Sequence, residues 1–170
     1  MTEILTECLR LVALSLGQLI LRLNAPRQLE NELGLTLAQR VLTRPERKAI
    51  GIKIRNMERH AEINHPWYTF WLISLKGNQR VVGMVGFKGH HEAQGEVEIG
   101  YGINLRHQNH GYATEAVRAM NNWAFQHPTC KAVIAETELS NLASQRVLVK
   151  ASMRIYAETG HALLWRIDRD

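Results

Sequence analysis

Residues 95–126 constrain the fold more than any other stretch, because they join a glycine-punctuated strand to an amphipathic helix through a short polar loop. Gln108, Gly111 and Ala113 have the spacing Q-x-x-G-x-A where that helix begins. The first N–H groups of a helix lack intrahelical acceptors and lie at the positive end of its dipole. The junction therefore predicts an anion site suited to a phosphate-bearing cofactor.

The size and charge of the chain limit the classes of protein to consider. With 170 residues and 45% hydrophobic content, the chain can bury a substantial core, and we expect one domain over residues 1–170. Its 21 basic and 16 acidic residues give a net charge of +5, scattered without a basic block. This surplus fits an anionic ligand or merely a solvated surface, and we expect no nucleic-acid partner.

Cysteine and histidine usage gives no sign of a metal or disulfide framework. Cys8 and Cys130 are too few and too isolated for either, which favours a reducing compartment. His90 and His91 are adjacent in a turn and have no helical i, i+4 partner, so they are a poor ligand set. We expect no metal.

The apolar residues 9–23 are the one candidate for a membrane segment. Arg10, Gln18 and Arg22 interrupt them, and the run falls short of the ~20 apolar residues that a span requires. We expect a cytoplasmic protein without a membrane partner, and the sequence carries no signal for its oligomeric state.

Hydrophobic periodicity predicts an α/β (α+β) fold with the element order β-α-α-β-β-β-α-β-α-β-β. Helices are predicted at 16–23, 26–33, 44–64, 113–124 and 141–150, and strands at 6–15, 67–75, 80–87, 96–104, 130–137 and on both sides of residues 159–160. Thr43 is the expected cap of the third helix, with Pro45 in its first turn. The strand–helix–strand unit around residues 113–124 favours a right-handed parallel crossover. The three strands before this unit are predicted to form an antiparallel meander.

This order, together with residues 108–116 (QNHGYATEA), resembles the GNAT superfamily of N-acetyltransferases, whose R/Q-x-x-G-x-G/A loop it matches. The likeness covers nearly the whole chain and is closest to the branch that includes ribosomal-protein alanine N-acetyltransferases. It implies a mixed, mostly antiparallel sheet flanked by helices. It also implies transfer of an acetyl group from acetyl-CoA to a primary amine, on a small molecule or a peptide N-terminus.

The resemblance also implies which residues hold acetyl-CoA. They are Tyr101, Ile103, Gln108, Asn109, His110, Gly111, Tyr112, Ala113, Thr114 and Asn141. The glycines on either side of Tyr101 predict a bulge, which could serve packing alone. The resemblance implies that this bulge separates the strand from the next and leaves a slot for pantetheine, with the N–H of Tyr101 or a neighbour facing the acetyl oxygen. The 3′-phosphate has several candidate partners, which are Arg106, His107, His110, Arg146 and Lys150.

Candidate catalytic groups surround the predicted slot. Glu98 precedes the glycines and stands where several family members keep a glutamate base; Glu96 and Glu136 are alternatives, and all three residues could simply line a solvated face. Ser144 lies one helical turn after Asn141, where its hydroxyl can bond the leaving thiolate or serve only as a capping residue.

Two departures from the family pattern affect the expected chemistry. The family often has a tyrosine seven residues after the asparagine, and this sequence has Leu148 there, which has no proton to donate. Ser152 and Met153 replace the usual Gly-Phe that follows this helix. The alternative hypothesis is therefore a non-catalytic acyl-CoA-binding or regulatory domain of the same fold.

Overall fold

The computed structural model describes residues 2–89 and 95–169. Within these residues the strands are β1 Glu3–Leu5, β2 Leu9–Ala13, β3 Thr36–Leu37, β4 Trp71–Leu75, β5 Arg80–Phe87, β6 Glu96–Ile103, β7 Ala132–Glu138, β8 Arg154–Glu158 and β9 Ala162–Asp168. The helices are α1 Leu16–Asn24, α2 Pro26–Leu33, α3 Arg44–Glu58, α4 His65–Tyr68, α5 Tyr112–Phe125 and α6 Leu142–Lys150.

The strands form one sheet in the order β1-β2-β4-β5-β6-β7-β9-β8, with the short β3 paired to β5. The β6–β7 and β3–β5 pairs are parallel, and the other described pairs are antiparallel. The predicted mixed, mostly antiparallel sheet is confirmed, as are the meander β4-β5-β6 and the parallel pairing of the strands on either side of α5.

Helices cover both faces of the sheet. One face packs against α5 and α6, where Val97 and Ile99 of β6 share a buried cluster with Val117 and Met120. The opposite face packs against α1, α2 and α3 in a second buried cluster that includes Ile50. Because side chains alternate along a strand, odd-numbered residues of β6 face α5 and even-numbered residues face α3.

Local signals account for most helix starts. Thr43 caps α3 and Pro45 lies in its first turn, as expected, and Glu46 completes a capping box with Thr43. The helix ends at Glu58, short of the predicted residue 64. Ala61 has an extended backbone with ψ of 146°, which separates α3 from a single 3₁₀ turn at Glu62–Asn64.

Three predictions about strands are corrected. The strand expected from Trp67 begins only at Trp71, because Pro66 lies in the first turn of the short helix α4. There the Trp67 ring packs 4.5 Å from that of Trp123. The strand expected at residues 6–15 is limited to β2. The short strands β1 and β3 were not predicted. These two strands have three and two residues, too few to show a hydrophobic period.

The structure bears on the membrane and metal expectations only within residues 2–89 and 95–169. No helix within residues 2–89 and 95–169 combines the length and apolar character that a membrane crossing needs. The same residues contain no group of three or more histidine, cysteine or acidic side chains placed to hold a metal ion. His90 and His91 lie outside the described residues.

Candidate active site

The N-terminus of α5 has the geometry expected of an anion site. Gly111 is its N-cap residue and has a φ of 82°, a left-handed conformation that glycine adopts without steric cost. No described side chain caps the helix, so the first amides, those of Tyr112, Ala113 and Thr114, have no capping partner. A Cβ added at Gly111 would meet no heavy atom within 4 Å, so a ligand can approach these amides.

The side chains of the preceding loop hold its shape. Gln108 donates through Nε2 to the carbonyl oxygen of Ile103 at 3.0 Å. Nδ1 of His110 lies 2.7 Å from the carbonyl oxygen of Gln108, and the His110 ring stacks on Tyr112 with centroids 5.4 Å apart. Asn109 has a left-handed backbone with φ of 63°. The loop therefore presents backbone amides to a ligand while its side chains bond internally.

A gap opens in the sheet between β6 and β7, and we call it the fork. The two strands pair in parallel over three positions, the last being Glu98 opposite Ile134. Beyond that point β6 stays paired with β5 as far as Ile103. The β5–β6 register is uninterrupted across Tyr101, so the predicted bulge is wrong, but the predicted separation from the next strand is present. It arises because the β6–β7 pairing stops.

A cleft of about 650 Å³ lies on the α3 side of the sheet. Its lining includes Lys53 from α3, Lys88 after β5 and Gln108 from the loop before α5. Gly100 and Gly102 line it from β6, and a Cβ added at either would meet no heavy atom within 4 Å. The absence of side chains at these two positions thus keeps the cleft open next to the fork.

All three candidate carboxylates lie on the cleft side of the sheet, because they occupy even positions of two parallel strands in register. Glu98 forms an ion pair with Lys88. Glu96 forms one with Arg166 at 2.6 Å. Glu136 follows the last β6–β7 pair, so it lies across the fork; it is exposed and has no ion pair within residues 2–89 and 95–169.

The opposite side of the fork brings Tyr101 to α6. Its hydroxyl donates to the carbonyl oxygen of Ser144 at 3.2 Å, and burial raises the pKa of Tyr101 to about 12, so the phenol keeps its proton at neutral pH. Asn141 caps α6, its Oδ1 accepting from the N–H of Ser144 at 3.1 Å. Leu148 is fully buried in the core. The phenol that lies beside α6 is therefore that of Tyr101 on β6. The sequence did not predict this contact between Tyr101 and Ser144.

The sequence matches the acetyltransferase (GNAT) domain over residues 21–154, a span that contains the fork, the α5 loop and α6. The chain belongs to the GNAT acetyltransferase family. The resemblance on which the sequence analysis relied is thereby confirmed.

Relatives and solved structures agree with this GNAT assignment. An uncharacterised N-acetyltransferase of Bacillus subtilis, YjdG, is 39% identical over 80 residues, which are 47% of this chain and 48% of that protein. The chain thus spans about half the length of this curated relative. The ribosomal L7/L12 α-N-protein acetyltransferase RimL, solved with coenzyme A, has a TM-score of 0.69 at 14% identity, with 99% of both chains covered.

A second solved structure shows the same fold. The ribosomal-protein-S5-alanine acetyltransferase from Vibrio fischeri has a TM-score of 0.69 at 12% identity, covering 100% of this chain and 98% of that one. At these identities the likeness establishes the GNAT fold and says nothing of the acceptor.

Sequence reasoning also missed Lys53, a buried cation of the GNAT cleft. Its Nζ donates to the carbonyl oxygen of Phe87 and lies 5.2 Å from the centroid of the Phe70 ring. Only 7% of the residue is exposed. Burial, and secondarily the charge of Lys88, lowers the pKa of Lys53 to about 8. Its position three residues after Ile50, on the apolar face of α3, was the signal that could have revealed it.

The candidate partners of the 3′-phosphate remain separate in the GNAT structure. Arg106 and Arg146 are exposed, and Lys150 ends α6, where its carbonyl oxygen accepts from Arg118. His107 is half-buried and its Nδ1 has no partner among the described residues. Within the part of the chain that the structure describes, no contact singles out one of these side chains as the phosphate partner.

Proposed function

We propose that this protein transfers the acetyl group of acetyl-CoA to a primary amine by direct attack of the amine on the thioester. One observation carries the proposal: the strand that forms one edge of the fork, β6, is joined by the short loop of residues 104–111 to the uncapped N-terminus of α5. A single extended cofactor can therefore place its pyrophosphate on the α5 amides and its thioester in the fork. The coenzyme A bound by RimL, which has the same fold, supports this reading.

The fork supplies the groups that stabilise the reacting thioester. Among the described residues, the edge of β6 near Tyr101 has no strand partner on the β7 side, so its backbone groups, apart from the Ile103 carbonyl oxygen that accepts from Gln108, can bond pantetheine. The N–H of Tyr101, or of a neighbour, is the proposed donor to the oxyanion. The acceptor nitrogen enters from the cleft over Gly100 and Gly102, forms the C–N bond, and the C–S bond breaks.

Two proton transfers accompany this step. An ordinary primary amine is mostly protonated at neutral pH, and Glu98 is the proposed base, because it lies at the end of the β6–β7 pairing on the cleft side. Ser144 is the proposed donor to the thiolate, on the α6 side of the fork. A thiolate is a tolerable leaving group, so the buried Leu148 in place of a tyrosine does not prevent transfer.

The proposal predicts saturable binding of acetyl-CoA that depends on Gly111. Gly111→Glu places a carboxylate and a strained backbone at the proposed phosphate site, and we expect calorimetry to show at least about a hundredfold weaker binding. Gly160→Glu is the matched control, because a Cβ there also meets no atom within 4 Å and the residue lies in the β8–β9 turn. Circular dichroism verifies that both variants fold. No binding by the wild type, or equal binding by both variants, contradicts the proposal.

A second function, acyl-CoA binding without transfer, is favoured by one observation: Leu148 is buried where a tyrosine often donates the proton. The experiment that distinguishes acetyl transfer from binding alone measures the release of free thiol from acetyl-CoA in the presence of peptides, polyamines, amino acids and aminoglycosides. Thiol release that requires an amine supports transfer. Binding without release for every amine supports the non-catalytic role.

A further inference from the structure

Lys53 is a charged group in the cleft that the proposed reaction does not use. Its ammonium has three N–H donors, and the one hydrogen-bond acceptor that it contacts among the described residues is the carbonyl oxygen of Phe87. No acidic side chain of residues 2–89 and 95–169 forms an ion pair with it. A buried ammonium without a counter-ion is destabilised by the loss of hydration, and an anionic ligand would relieve that cost.

The other charges of the cleft are already engaged. Lys88 pairs with Glu98, and the Glu46 carboxylate bonds the N-cap Thr43 of α3. Arg22 donates only to backbone carbonyl oxygens, and its buried Nε has no partner among the described residues. The cleft therefore carries an excess of positive charge, which disfavours polycationic acceptors and favours a negative group on the ligand.

The position of Lys53 relates this charge to the fork. The Phe87 carbonyl that its Nζ contacts belongs to β5, where Phe87 pairs with Ile99. Ile99 immediately follows Glu98, the last β6 residue paired with β7. Gly100 and Gly102, which follow Ile99 on β6, line the same cleft as Lys53. An anionic group bound to Lys53 therefore lies in the cleft from which the reacting nitrogen enters.

The remaining wall of the cleft is largely apolar. Leu72 and Met84 line it from the sheet, Phe70 from the residue before β4, and Ile52 from α3. We propose that Lys53 selects an acceptor amine that carries a carboxylate near its reacting nitrogen and an apolar body, as a free apolar amino acid does. This inference rests on the proposed acetyl transfer, and it narrows the acceptor class.

The first test compares phenylalanine with phenylalaninamide as acceptors, by the rate of thiol release from acetyl-CoA. Phenylalaninamide has an uncharged amide in place of the carboxylate of phenylalanine. The two amines also differ in reactivity, but this difference cancels when the ratio of kcat/KM for phenylalanine to that for phenylalaninamide is compared between the wild type and a variant. We expect Lys53→Met to lower this ratio by about tenfold or more. Lys48→Met, the same change at an exposed position of the same helix, leaves the ratio unchanged. A ratio that Lys53→Met does not change overturns the inference.

A second test needs neither turnover nor a variant. We expect 3-phenylpropanoate to bind the wild-type protein at least about tenfold more tightly than 3-phenylpropan-1-ol, measured by calorimetry. Equal binding of acid and alcohol overturns the inference and leaves acetyl transfer standing. Preferential binding of the acid by a protein that releases no thiol with any amine supports the anion site and removes the proposed reaction. Peptides that are acetylated faster than any amino acid, at rates insensitive to Lys53→Met, also overturn it.

Discussion

The carboxylates on either side of the fork, those of Glu98 and Glu136, differ in their ion pairing. The Glu98 carboxylate is held beside the Lys88 ammonium at the end of the β6–β7 pairing. Glu136, across the fork, has no such ion pair among the described residues. The two residues are therefore alternative bases that single substitutions can separate.

Glu98→Gln is expected to lower kcat/KM by about 10- to 100-fold at pH 7, and by much less near pH 10. The reason is that the free amine, scarce at neutral pH, accumulates as the pH approaches the pKa of the acceptor. The measurement is the pH profile of thiol release, with Glu136→Gln as the matched control. An unchanged profile removes Glu98 as the base, and a loss confined to Glu136→Gln transfers the role to that residue.

At the scale of elements, the end of α6 shows what the Ser152 departure does. Ser152 lies two residues after the helix and has a φ of 64°, in the left-handed region that glycine favours. The position therefore retains the backbone geometry of a helix-terminating glycine while carrying a side chain, which costs conformational energy.

Ser152→Gly is expected to raise the free energy of unfolding by about 0.5–1 kcal/mol, because it removes this strain. Urea denaturation measures the change. Ser140→Gly, at an exposed turn position with no left-handed φ, is the control and is expected to gain nothing. Equal effects of the two substitutions would show that the strain at Ser152 is negligible.

At the scale of the whole molecule, the burial of Lys53 makes stability depend on pH. Its pKa of about 8 in the folded protein lies below its ordinary value of 10.5, so between these values the unfolded chain binds more protons than the folded one. Stability therefore rises with pH across that window, and below pH 8 both states are protonated and the contribution is constant.

The difference in unfolding free energy between wild type and Lys53→Met is expected to shift in favour of the wild type by up to about 3 kcal/mol from pH 8 to 10.5. Denaturant unfolding at several pH values measures it, and subtraction cancels groups common to both proteins. Lys48→Met, the same change at an exposed position of α3, is the control. A flat difference for Lys53→Met would show that its ammonium is not desolvated in the fold.

The sequence allowed the fold to be predicted where signals are local and periodic. The cap at Thr43, the apolar face of α5 and the loop at Gly111 all depend on neighbours within a few residues, and each is present. The end of the β6–β7 pairing and the contact between Tyr101 and Ser144 depend on elements distant in the chain, so no local pattern reveals them. The burial of Lys53 likewise depends on Phe70 and Phe87, which lie much further along the chain.

The fork also bears on the order of binding. Where β6 and β7 separate, β6 has no strand partner on that side among the described residues. The amide groups of pantetheine are of the same kind as those that a further strand would supply. A bound cofactor would thus complete the sheet and with it the wall of the adjoining cleft. We expect the acceptor to bind after acetyl-CoA, and the amides of residues 99–103 to exchange hydrogen more slowly once the cofactor is in place.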